Sequence, residues 1–194
     1  HWSEAKASDM IVFDEAGNTL EGNGVVEMTA QCIHAPIHRI TGKSVVMHTH
    51  QPWALALNML EDNRLLPATQ NASLLYGSIA YDDDYRGLAT TPEEGERLAA
   101  VLGKKAILFM KNHGVMVAAK SIAQAYKVLY LLERACRTQV LAMSTGKPLV
   151  TIPTEIADNL TVPNDNDRHR GQRHTLYFEA MKRVLDREMP GYAE

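Results

Sequence analysis

Val45-Val46-Met47-His48-Thr49-His50 ends in two histidines one residue apart, and the fold turns on how that stretch is read. Its first three residues are apolar and two are β-branched, which fits a buried strand. Side chains two apart on a strand point to the same face. His48 and His50 therefore project together, and neutral imidazoles on one face can share a divalent ion. A third histidine lies in Lys111-Asn112-His113-Gly114, between two further strand-like runs, Ala106 to Met110 and Val115 to Val117. The Asn-His-Gly segment reads as a hairpin turn, so His113 also sits at a strand end, where a sheet can present it to the pair. An isolated His-x-His more often caps a strand than binds metal, and it is the setting of His113 that changes that balance. His48, His50 and His113 make a three-ligand metal set with one position left for water or substrate, an arrangement suited to catalysis.

Around these stretches the pattern alternates. Met10 to Phe13 is a short apolar strand, and Glu27 to Arg39 reads as a helix that carries a proline, Pro36, in its interior. Pro52 opens a helix from Trp53 to Leu60, and Leu74 to Tyr81 has strand character before the acidic Asp82-Asp83-Asp84. Thr91, Pro92 and Glu94 form a helix start with capping-box spacing, and the helix stops at Gly103. Ser121 to Met143 is the strongest helix, with apolar residues at a 3.6 repeat. Val162 to Gln172 is polar and reads as an exposed loop or arm, and Arg173 to Glu188 as a last amphipathic helix. Strands alternating with helices predict an α/β fold, a three-layer α/β/α domain, and the hairpin through His113 predicts a mixed central sheet. The expected division is a metal-binding domain over residues 1–150 and a C-terminal arm and helix over 151–194 that pack on the domain or on a neighbouring subunit. No Gly-x-Gly-x-x-Gly or Walker-type loop follows any strand.

The chain has 194 residues, 45% hydrophobic and 22% charged, with a net charge of -3, an ordinary globular composition with no basic excess to predict nucleic acid or an anionic membrane as partner. No apolar run approaches the roughly 20 residues of a membrane span. Cys32 and Cys136 lie in apolar helical patterns without Cys-x-x-Cys spacing and read as buried thiols of a cytoplasmic protein. The opening His1-Trp2-Ser3-Glu4 lacks a basic-then-apolar leader and a Met, so the expectation is no secretory signal and a processed or truncated start.

The order strand-His48-Thr49-His50-helix, then Lys111-Asn112-His113-Gly114 in a hairpin, then a long helix containing Leu131-Leu132-Glu133-Arg134-Ala135, resembles the class II aldolase/adducin family over roughly residues 8 to 150. The tail from Phe178 to Tyr192 also resembles the end of bacterial members. The resemblance implies a class II aldolase-like fold and zinc at His48, His50 and His113, with Mn2+, Co2+ or another divalent ion as alternatives. It also implies a small-molecule substrate and a homo-oligomer, commonly a fourfold tetramer with sites at subunit boundaries. The implied chemistry is a metal-dependent carbon–carbon cleavage through a metal-stabilised enolate. In the family's sugar-phosphate aldolases a Ser-Ser-Glu-like segment enters the helix before the metal strand; aligned on His34, this chain has Met28-Thr29-Ala30 there, so the proton-transferring carboxylate is replaced by Ala30, with Glu27 three residues away. The upstream Gly-Asn phosphate loop is not visible either. The expected substrate is therefore a small oxo- or hydroxy-acid or sugar-derived compound, cleaved by an aldolase or decarboxylase type of lyase. An adducin-like binding or scaffold module without catalysis, or a metal-dependent epimerase, is the alternative.

Other groups carry weaker readings. His34 and His38, four apart on one helical face, read as a packed helix side rather than a zinc pair. Tyr85 is the best candidate acid among Tyr76, Tyr81 and Tyr85, and Asp82-Asp83-Asp84 reads as solvated loop charge. Arg168, His169, Arg170 and Arg173 form a basic cluster too short to imply nucleic acid.

Overall fold

The computed structural model of the protein describes residues 4–161 and 172–194. Its centre is a four-stranded mixed sheet in the order β3-β6-β5-β4, formed by β3 (Val45–Thr49), β4 (Ile79–Asp82), β5 (Ile107–Met110) and β6 (Gly114–Ala119). β3 and β5 both run antiparallel to β6, while β4 runs parallel to β5. A two-stranded ribbon, β1 (Val12–Phe13) with β2 (Thr19–Glu21), stands apart from it.

The two central strands are buried on both faces, which is why their sequences are continuously apolar. On one face Ile107, Phe109, Val115, Val117 and Ala119 pack against α2 (Pro52–Asn58), α3 (Gln70–Ser73) and α5 (Ile122–Met143). On the other Leu108, Met110, Met116 and Ala118 pack against α1 (Met28–Thr41) and α4 (Pro92–Leu102). The three-layer α/β/α fold with a mixed sheet is thus as the sequence predicts. Two further helices, α6 (Thr154–Thr161) and α7 (Arg173–Glu188), follow. Among the described residues no helix is long and apolar enough to cross a membrane.

Helices α1 and α4 touch through Pro36 and Gly95. Proline has no N–H, so the Cys32 carbonyl lacks its helical donor. Gly95 lies against that carbonyl, and a Cβ there would collide with it and come to 2.9 Å from Pro36 Cγ. The proline inside α1 therefore marks a close helix crossing. Cys32 and Cys136 are both free and buried, and burial pushes the Cys136 thiol up to about 12.

Several boundaries differ from the sequence reading. Leu74 to Tyr81 is not one strand: Thr69 caps α3 by accepting from the Ala72 N–H at 3.2 Å, a 3-10 turn spans Tyr76–Ser78, and the strand begins at Ile79. The capping box at α4 does not form, because the Glu94 carboxylate turns to Arg97 (2.6 and 2.9 Å). The acidic triplet is solvated charge at Asp83 and Asp84, which are exposed, but not at Asp82. Asp82 is buried at the end of β4 in a bidentate pair with Arg97 (2.7 and 2.7 Å), Asp83 pairs with Arg64 and Asp84 with Arg86. Successive residues of an extended chain point to opposite sides, and each finds its own arginine. The arm at 162–172 and Arg168, His169 and Arg170 of the basic cluster lie outside the described residues, apart from Gln172.

Candidate metal centre

His48 lies on β3 beside Val46, on the sheet face that packs against α1 and α4. His50 follows two residues later, just past the strand end. Across the sheet, His48 is opposite Met116 and Thr49 opposite Val115, so the turn between β5 and β6 rises beside the same strand end and delivers His113. Asn112 adopts φ 58° in that turn, a left-handed conformation that asparagine tolerates better than most residues. The Met110 carbonyl accepts the His113 N–H at 3.0 Å.

The three imidazoles converge. Ring centroids are 4.9 Å apart for His48 and His50, 4.7 Å for His48 and His113, and 5.0 Å for His50 and His113. One ligand atom from each lies within 4.8 Å of the others, and the Nε2 atoms of His48 and His50 are 3.0 Å apart. A tetrahedral zinc site with bonds of 2.0–2.1 Å holds its nitrogens about 3.3 Å apart, so the three imidazoles are near enough to share a divalent ion once the rings draw together around it. Space for the convergence comes from Gly114. A Cβ there would stand 2.8 Å from His50 Cδ2 and 3.0 Å from His48 Cε1.

Protonation states also suit a metal. The Val115 carbonyl, 3.0 Å from His48 Nδ1, can only accept, so Nδ1 carries the proton and the Nε2 lone pair faces the cluster. Burial, then the neighbouring His113, hold His48 down to about 4. Burial and His50 lower His113, while Glu94 on α4 opposes that shift. Both rings are therefore neutral, as ligands must be, at neutral pH. His48 and His113 are partly buried and His50 is exposed, so the cluster opens to solvent on the His50 side.

Glu133 on α5 supports this end of the sheet in a way the sequence reading missed. Its carboxylate accepts the N–H groups of Trp53 and Ala54 at 2.9 Å each, capping α2 directly after His50 from a residue 80 positions away. Gln51, the N-cap residue, makes no side-chain cap of its own. A carboxylate in an amphipathic helix reads as solvated, and no local pattern marks Glu133 as the cap of a distant helix.

The remaining candidates are placed as follows. His34 and His38 do not join the cluster. They line an open groove of about 470 Å³ with Phe13 and Ala30, and His38 Nδ1 donates to the Lys43 carbonyl at 2.7 Å. Burial and His38 keep the His34 imidazole low. Glu27 is the N-cap of α1, its carboxylate held by the Thr29 hydroxyl and the Ala30 N–H. Those bonds hold its pKa below the usual range. Tyr85, half exposed, has its ring 6.3 Å from that of His113 and shares a small cleft with it, Glu94 and Lys111. Tyr81 is structural, with its hydroxyl accepting from the Leu65 N–H and Arg64 stacked 4.1 Å over its ring. Tyr76 donates to Asp158 of α6.

A three-layer fold with three converging histidines at one end of a mixed sheet defines the class II aldolase type of domain. The model of the Class II Aldolase and Adducin N-terminal domain matches residues 1–140, and the chain belongs to that family. A Caulobacter vibrioides protein assigned to aldolase class 2 is 32% identical over the whole chain, which covers 75% of that protein. Decarboxylase NovR of Streptomyces niveus is 35% identical over 80% of this chain and 58% of its own length. The crystal structure of an aldolase II superfamily protein from Pseudomonas syringae superposes with a TM-score of 0.87 at 29% identity, covering 98% of this chain and 76% of that one.

Proposed function

We propose that the chain is a divalent-metal-dependent carbon–carbon lyase, of aldolase or decarboxylase type, acting on a small oxo- or hydroxy-acid or sugar-derived substrate. One observation carries this reading: the imidazoles of His48, His50 and His113 converge at a strand end with the His50 side open to solvent. These three residues would hold the ion. Zinc is the first expectation for an all-imidazole set, with Mn2+ and Co2+ as alternatives. When bound, the ion supplies Lewis acidity to a substrate oxygen, the electrophilic assistance that cleavage beside a carbonyl needs.

The chain's own groups do the remainder. Val115 fixes the His48 tautomer and Glu133 fixes the segment that follows His50. Tyr85, beside His113 and within reach of solvent, is assigned to proton transfer at its phenolic oxygen. Glu27 is committed to capping α1 and is not that group. The alanine at position 30, in place of the carboxylate of the sugar-phosphate aldolases, weighs against their substrates, and the similarity to a protein named decarboxylase supports one with a carboxylate. A homo-oligomer in the cytoplasm completes the reading, on the family resemblance and on the composition.

The test is a substrate panel. Metal-loaded protein incubated with 2-oxo acids, 2-hydroxy acids and ketose 1-phosphates is expected to cleave or decarboxylate a member of the acid groups, and His113→Ala to abolish it. Turnover of ketose phosphates alone would contradict the substrate class, and turnover indifferent to His113→Ala would contradict the site.

A further inference from the structure

Asn58, the last residue of α2, is fully buried within an otherwise apolar stretch, and its amide reaches the hairpin that carries His113. Its Nδ2 donates to the Met110 carbonyl and, at 3.2 Å, to the Gly114 carbonyl. Met110 and Gly114 form the last rung of the β5–β6 ladder, so these two carbonyls bracket the Lys111-Asn112-His113 turn. Its Oδ1 accepts from Asn63 Nδ2 at 2.9 Å, and Asn63 is itself buried. Asn63 Oδ1 then accepts from Arg64 Nη1 at 2.6 Å, and Arg64 closes the chain at the surface with Asp83 (3.1 and 2.6 Å). The orientation of the Asn58 amide follows from its partners, since two carbonyls require donors and the Asn63 amide requires an acceptor.

We infer that Asn58 is a positioning residue that sets His113 against His50. α2 begins two residues after His50, and Glu133 holds its first turn. Its last residue grips both sides of the turn bearing His113. One short helix thus spans the two segments whose separation decides whether three imidazoles can share an ion. Burying an amide is unfavourable unless its hydrogen bonds are made, and an apolar residue of similar size would fill the same volume more simply. Here both N–H groups are used, and each goes to the hairpin end. Groups behind metal ligands that fix their orientation typically change metal affinity by about 10–100-fold.

This inference rests on the metal-site reading proposed above, and the experiment separates the two. Co2+ and Zn2+ affinities and the Co2+ d–d absorption spectrum are measured for the wild type, Asn58→Leu, Asn63→Ala and Leu102→Ala. Leu102 is a buried residue at the far end of α4, and its truncation provides a destabilised control. The expected result is a loss of metal affinity of about 10–100-fold in folded Asn58→Leu with an altered spectrum. Asn63→Ala, which keeps the two donors and removes only their anchor, is expected to show a smaller loss in the same direction, and Leu102→Ala a wild-type affinity and spectrum. If Asn58→Leu does not fold, Asn63→Ala against Leu102→Ala decides the matter. A wild type that binds metal while the Asn58 and Asn63 variants match it overturns the positioning role alone. A wild type that binds no divalent metal overturns the site reading, and the inference with it.

Discussion

Replacing Gly114 by alanine is a severe test of the site, because one methyl group meets three of its parts at once. An ideal Cβ would stand 2.7 Å from the Thr49 backbone oxygen, 2.8 Å from His50 Cδ2 and 3.0 Å from His48 Cε1. Close carbon–oxygen contacts in proteins settle near about 3.3 Å, so the neighbours must retreat by about 0.5 Å. Gly114 does not adopt a positive φ, so the effect is one of space rather than of backbone conformation. Thr49 is held in the β3–β6 ladder opposite Val115, whose carbonyl fixes His48, so the backbone has little freedom to yield. The imidazoles must move. Metal–ligand distances are defined to about 0.2 Å, and the required shift exceeds that. Overpacking of this kind costs about 1–3 kcal/mol of stability, and the displaced rings are expected to lower zinc affinity by at least about 10–100-fold. Urea unfolding of the metal-free protein reads the first effect, and competition with a chromophoric zinc chelator reads the second. Gly77→Ala, where a Cβ meets nothing within 4 Å, is the control. A Gly114→Ala protein with wild-type stability and wild-type zinc affinity would refute the argument.

Arg97→Met is expected to destabilise the fold by about 3–5 kcal/mol, since it strands the buried Asp82 carboxylate without its bidentate partner. Combining it with Asp82→Asn should restore part of that loss, and urea midpoints that barely move in the single variant would contradict the pairing. The metal-free protein is expected to lose stability as pH falls from about 6.5 to about 4. In that window the unfolded chain takes up a proton at His48 that the folded chain, with His48 held near 4, refuses. The loss from His48 is about 3 kcal/mol at most, with His113 and His34 adding in the same direction. His48→Asn should flatten the profile of unfolding free energy against pH, and an unchanged slope would show that the buried imidazole is not its source.

The central fold was legible where burial leaves a simple pattern. β5 and β6 are buried on both faces and read as continuous apolar runs, and α5 carries an unbroken 3.6 repeat. Leu74, Leu75 and Tyr76 are apolar enough to predict a strand, yet β4 begins only at Ile79. There the Thr69 cap and the turn at Tyr76–Ser78 override composition. α6 leaves no sequence signal because a helix of about two turns after Pro153 gives little periodicity. Within the site, His48 and His50 follow from the strand repeat and His113 from the turn signal. What holds them does not. Glu133 and Asn58 act through hydrogen bonds to residues 52 to 80 positions away, and no local pattern distinguishes such a side chain from a solvated one. The acidic triplet makes the same point, since its three carboxylates are separated by the fold into three different ion pairs.

Divalent metal content measured on purified protein, for the wild type beside His48→Ala and His113→Ala, tests the central claim most directly. The account predicts one zinc or comparable ion per chain in the wild type and none retained in either variant, with both variants still folded. A wild type without stoichiometric metal after preparation in zinc- and manganese-supplemented buffer, or variants that keep it, would contradict the assignment of His48, His50 and His113.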